Sequence, residues 1–264
     1  DSNERAFAVA SQINSCDVIF CNMVTYATSS VFAPIIRATT KPVILVALQP
    51  RMAMDYSMAS TFMQLENDNI CSVPEFTGVA IRMGRRLNDV IIGCLYDDAE
   101  AEKAVSVWCS IAFVLNGLNG ARIGLMGHVL ESMYDMHADP TAVSRAFGVH
   151  VPLLEIEDVI EEYNAVSQQE IDNKIEVIRN EFDMPDPGSD PVAEKLTEGD
   201  LYQSAHTSAA LDRFIEKYNL NGLAYYYEGR PDSVQRTVAS TFIVGNSILN
   251  AEGIPMCGEF DLKT

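Results

Sequence analysis

Basic residues are scarce in this sequence. Lysine and arginine number 18 against 37 aspartates and glutamates, which leaves a formal charge of −19 over 264 residues. Affinity for a polyanion comes from clustered cations that release its counterions, so no nucleic-acid partner is expected. Long apolar runs are missing too. The most apolar stretch, Val105 to Leu115, is interrupted by Ser106 and Ser110 and falls short of the roughly 20 residues a membrane-spanning helix needs. A buried helix is expected there, and no membrane partner.

Several motifs are also absent: G-x-G-x-x-G, G-x-x-x-x-G-K-[ST], G-x-S-x-G and H-E-x-x-H. Dinucleotide cofactors, P-loop phosphoryl transfer, serine hydrolysis and zincin chemistry therefore have no support. The six cysteines, at 16, 21, 71, 94, 109 and 257, form no C-x-x-C pair. They predict reduced, buried thiols and a cytoplasmic protein. No basic-then-apolar leader opens the chain. It starts at Asp1 and stops at Thr264 just after the beginning of a new element, which predicts a protein continuing past both ends.

What is present is core material: 48% hydrophobic residues with 21% charged suffice for one large or two modest domains. Apolar strand-like runs alternate with helical periodicity. Strands are expected at Cys16–Met23, Val43–Leu48, Val90–Tyr96, Ala121–Met126, Val149–Leu154, Gly222–Tyr227 and Ile254–Cys257. Helices are expected at Glu4–Asn14, Ser30–Ala38, Met52–Leu87 with a break near Pro74, Ala99–Leu115, Pro140–Phe147, Glu155–Phe182, Gly199–Tyr218 and Ser233–Asn250, and a loop at Asp183–Pro191. Runs apolar on both faces belong to parallel sheets covered by helices. The fold class is therefore α/β, with two Rossmann-like domains, 1–118 and 119–264, divided near Gly117–Gly120.

Candidate chemistry lies at strand ends. Asp135-x-His137-x-Asp139 has the look of a metal cluster, but Asp139 before Pro140 reads better as a helix cap. His128 follows the strand Ala121–Met126, where open α/β sheets place their ligand crevice. Glu228 follows Gly222–Tyr227, and Glu259 follows Ile254–Cys257. In an extended chain Glu259 and Asp261 would share a face. Two converging carboxylates repel unless a cation or proton lies between them, so Glu228 and Glu259 form a candidate hard-metal site or acid–base pair. The tyrosines 225 to 227 read mostly as packing.

The segments NGLAYYYEG (221–229) and SxxxGNSILNAEGIPMCGEFDLKT (240–264) resemble the central part of the L-arabinose isomerase and L-fucose isomerase group. Its Gly-Glu-x-Asp-x-Lys-Thr run stands here as Gly258 to Thr264. Residues 122–151 and 41–86 resemble the opening of the group's second domain and its first domain. The resemblance implies an aldose–ketose isomerase working through a cis-enediol, with manganese or another divalent cation as cofactor. It places the two catalytic and metal-binding glutamates at Glu228 and Glu259, and in the L-fucose branch an aspartate at Asp261 takes the second role. Remaining ligands, two histidines, are implied in a C-terminal domain outside this chain, so the chain alone is expected to be inactive. A sugar substrate is implied, with His128, Asp261 and Lys263 as candidate binding residues, as is a homo-oligomer, an expectation that the apolar excess of Met52–Met63 supports. The rival reading is a two-domain sugar-binding or regulatory module without catalysis, which would bind sugar whether or not a chelator is present.

Overall fold

Apolar runs shielded from water on both sides become central strands, and this chain builds two sheets around such runs. The computed structural model describes residues 2–184, 187–189 and 196–263. The expected loop 183–191 lies partly outside them, as does Thr264. The chain divides into two compact units, 1–117 and 118–264.

The first unit runs α1 (Asn3–Ala10), β1 (Ile19–Asn22), α2 (Ser29–Ala38), β2 (Val43–Gln49), α3 (Thr61–Glu66), α4 (Val73–Arg82), β3 (Asp89–Cys94) and α5 (Ala99–Leu118), the last helix ending one residue into the second unit. Its three strands are parallel in the order β1-β2-β3. Side chains alternate across β2. Val43, Leu45 and Ala47 pack with Phe32 and Ile36 of α2 and Phe76 and Ala80 of α4, while Ile44 and Val46 meet Ile91, Ala101 and Trp108 on the other face. Each fully buried aliphatic side chain contributes about 2 kcal/mol by removal from water.

The second unit runs β4 (Ile123–Gly127), α6 (Pro140–Phe147), β5 (Leu153–Leu154), α7 (Ile156–Ala165), α8 (Gln168–Glu181), α9 (Glu198–Tyr218), β6 (Gly222–Tyr226), α10 (Val234–Ser240), α11 (Phe242–Ala251) and β7 (Met256–Cys257). All four strands are parallel, in the order β5-β4-β6-β7. The core joins Met126, Leu154 and Leu223 to Val159 of α7, Leu211 and Phe214 of α9, Val238 of α10 and Phe242 of α11. Two parallel sheets flanked by helices are the α/β class the sequence predicts. Asp139 caps α6 by accepting from Thr141 N at 2.8 Å, with Pro140 in the first turn and left-handed Gly148 at the end.

The structure corrects five expectations. Residues 52–60 are not helical: Asp55 accepts from Ser57 N and Oγ, and Ser60 caps α3, so short polar side chains draw the backbone away from helix. The helix expected over 233–250 splits at Thr241, whose Oγ1 turns back to the Thr237 and Val238 carbonyls. The strand expected from Val149 shrinks to Leu153–Leu154 because Pro152 offers no N–H to the ladder. None of the six cysteines is fully buried. Cys16, Cys71 and Cys109 are exposed, and Cys21, Cys94 and Cys257 are half-buried; all are unpaired.

The expected buried helix is overturned as well. Ala101, Ala104, Val105 and Trp108 of α5 cover the sheet at helical spacing, but the opposite stripe is open, with Phe113 80% exposed. The 20 residues of α5 are long and apolar enough, by length and composition alone, to cross a membrane. Core helices of soluble proteins pass the same test, and here one stripe is docked on the sheet.

Candidate functional site

Open parallel sheets take ligands beyond the carboxyl ends of their strands. In the second unit β4, β6 and β7 are neighbours ending at Gly127, Tyr226 and Cys257, and His128, Glu228 and Glu259 follow within two residues. All three leave the same edge of the sheet, and all three side chains are exposed.

Each of the three is set by a special backbone position. Gly127 has φ +90°, and a Cβ there would lie 1.9 Å from the Tyr226 carbonyl oxygen; only glycine lets β4 close on β6 at this point. That same oxygen accepts from His128 N at 3.2 Å. The His128 ring then meets Tyr226 edge-on, with centroids 5.4 Å apart at 82°. Gly229, at φ +68°, turns the chain directly after Glu228.

Glu259 and Phe260 both occupy left-handed backbone, at φ 59° and 67°. The turn closes with Asp261 N on Gly258 O at 3.2 Å and is tied to β6 by Phe260 N on Tyr225 O at 2.9 Å. The expectation that Glu259 and Asp261 share a face assumed an extended chain, and this tight turn replaces it.

The Tyr226 hydroxyl donates to Glu228 Oε2 at 3.5 Å. Desolvation pushes the phenol up, and the negative charge of Glu228, the hydrogen bond to it and the charge of Glu259 add to the shift, with Arg236 opposing. Of the two candidate glutamates, Glu228 is the one that the phenol touches. A cleft of about 650 Å³ opens beside Glu228, lined by His128, Val129, Leu130, Glu131, Ser132, Tyr134, Tyr226 and Glu228 itself. Glu259 lies outside that lining.

Asp261 and Lys263 are not brought into this cleft. They line a separate apolar cavity of about 390 Å³ with Phe147, Leu223, Cys257 and Leu262, among others. Lys263 Nζ donates to the Asp135 carbonyl. Sequence reasoning missed Tyr226 because consecutive strand residues alternate faces. The available signal was its two-residue spacing from Glu228, which puts both on one side of the chain.

The carboxylates of Glu228 and Glu259 are oxygen donors of the kind that hard divalent cations take. Among the described residues no group of three His, Cys, Asp or Glu side chains could enclose a metal ion. The donor chemistry fits a divalent cation that draws its remaining ligands from water, substrate or further protein groups.

Comparison with known proteins gives the same direction. The family model for the L-arabinose isomerase central domain matches residues 130–264. An L-arabinose isomerase of Nocardioides sp. is 23% identical over 223 residues, covering 84% of this chain and 42% of the relative. L-arabinose isomerase 2 of Clostridium acetobutylicum is 27% identical over 182 residues, covering 68% and 35%. An L-arabinose isomerase of Pediococcus pentosaceus is 24% identical over 179 residues, covering 68% and 36%. The chain thus spans 35% to 42% of the length of these curated relatives. With half of its residues matched to that central domain, the chain belongs to the L-arabinose isomerase family.

Proposed function

We propose that this chain supplies the first two domains of a metal-dependent aldose–ketose isomerase of the L-arabinose type, divided near residue 118, and that the second carries the acid–base carboxylates. The observation behind the reading is that Glu228 and Glu259 follow the carboxyl ends of adjacent parallel strands. Interconverting an aldose and a ketose through a cis-enediol moves one proton between C1 and C2 and a second between O1 and O2, and the first needs a positioned carboxylate to take it and return it to the neighbouring carbon. Glu228 and Glu259 fill that role. The turn at 258–261, tied to β6 through Tyr225, holds Glu259 in place, and Gly229 fixes the exit of the chain after Glu228.

A divalent cation, manganese in this reading, would be held by Glu228 and Glu259 and would polarise the C1 and C2 oxygens. His128 hydrogen-bonds a sugar hydroxyl at the rim of the cleft. Asp261 and Lys263 stand outside the cleft, and Lys263 fixes the loop at Asp135 through its carbonyl. The reading carries a homo-oligomer and a cytoplasmic location, the latter supported by six unpaired cysteines.

The test is turnover of L-arabinose to L-ribulose by the complete encoded protein with Mn²⁺, beside Glu228→Gln. The expected result is turnover by the wild type and a loss of about 10²- to 10⁴-fold in the variant, whose shape is kept while its charge is removed. Sugar binding indifferent to chelator, with no ketose formed, would overturn the reading.

A further inference from the structure

Among the described residues the Tyr226 hydroxyl is the hydrogen-bond donor that Glu228 has. Tyr226 is anchored at its backbone and at one edge of its ring. Its carbonyl oxygen takes the His128 N–H at 3.2 Å where β4 closes on that carbonyl at Gly127, and the His128 ring lies edge-on to the phenol ring at 5.4 Å. Tyr226 is half-buried while Glu228 is exposed, so the tyrosine is the anchored member of the pair and the glutamate the adjustable one. At 3.5 Å the bond is at the outer limit of hydrogen-bond reach.

We infer that Tyr226 is a positioning residue, whose hydroxyl holds the Glu228 carboxylate in the orientation that the cleft requires. The inference deepens the isomerase reading and rests on it. Partners that orient a ligating carboxylate typically carry a 10- to 100-fold share of metal affinity or activity. Tyr226→Phe removes one O–H and leaves the ring against His128, so fold and packing are preserved.

The experiment compares wild type and Tyr226→Phe in the complete encoded protein by three readouts: melting temperature, kcat and KM for L-arabinose, and Mn²⁺ affinity by electron paramagnetic resonance in the absence of sugar. Expected are an unchanged melting temperature, kcat lowered about tenfold or more with a much smaller change in KM, and Mn²⁺ bound about tenfold more weakly. Identical kcat and identical Mn²⁺ affinity in the two proteins would overturn the inference alone and leave Tyr226 as packing. Wild-type protein that binds Mn²⁺ without turning over L-arabinose still decides the matter through the affinity comparison. Wild-type protein that neither binds Mn²⁺ nor forms a ketose overturns the isomerase reading and this inference with it.

Discussion

Glu259 and Phe260 sit side by side at positive φ, where an L-residue costs roughly 1 to 2 kcal/mol. Asparagine tolerates that region better, and the exposed Glu259 side chain contributes little packing. Glu259→Asn is therefore expected to raise stability by up to about 1 kcal/mol in urea unfolding while weakening Mn²⁺ binding, so a variant losing both stability and metal would show that the turn is not strained. Gly127 gives the opposite case: a Cβ would collide with the Tyr226 carbonyl. Gly127→Ala should cost about 2 to 3 kcal/mol in the same measurement, and an unaffected midpoint would sink the close-approach argument. Glu228 and Glu259 were legible as candidates because an acid follows an apolar strand within two residues in each case. Tyr226 was not, since the middle one of three consecutive tyrosines looks like core, and neither was the turn at Glu259, because nothing in Gly-Glu-Phe-Asp marks positive φ at two non-glycine residues.

Among the elements, helices whose ends carry their own chemistry were the most readable. Asp139-Pro140 announces α6, and Thr197 with Asp200 forms a capping box that starts α9. The stretch 52–60 misled because its methionines and alanines favour helix while its Asp and Ser side chains satisfy the backbone locally. The start of α8 offers a pH test. Bonds from Ser167 Oγ and N, and then from Arg213, hold the Glu170 carboxyl at about 2. A carboxylate depressed on folding contributes stability that is fully present above its unfolded value and lost as pH falls through the folded one. Here the loss runs from about pH 4.5 down to about pH 2. Ser167→Ala should cost about 1 kcal/mol at neutral pH, and that difference should shrink as pH drops through the same window in urea titrations. A difference independent of pH would mean that the serine acts only as a cap.

On the scale of the molecule, the outer stripe of α5, with Val107, Ile111, Phe113 and Val114, and the exposed Met52, Tyr56 and Phe62 are more apolar surface than water tolerates well. Self-association is expected, read as a mass above the monomer by light scattering at micromolar concentration and reduced by Phe113→Glu; a monomeric mass would count against it. The order of the second sheet bears on how the molecule comes into being. Ile123 of β4 pairs with Gly222 of β6, a partner that leaves the ribosome about a hundred residues later, and such distant pairings are slow because loop closure precedes any return in contacts. Until then β4 has only the two-residue β5 beside it, while α7 and α8 can form from local bonds. A nascent chain stopped before Gly222 should thus show helical circular dichroism with β4 amides that exchange freely, and the cleft matures only when the last strands of the unit arrive.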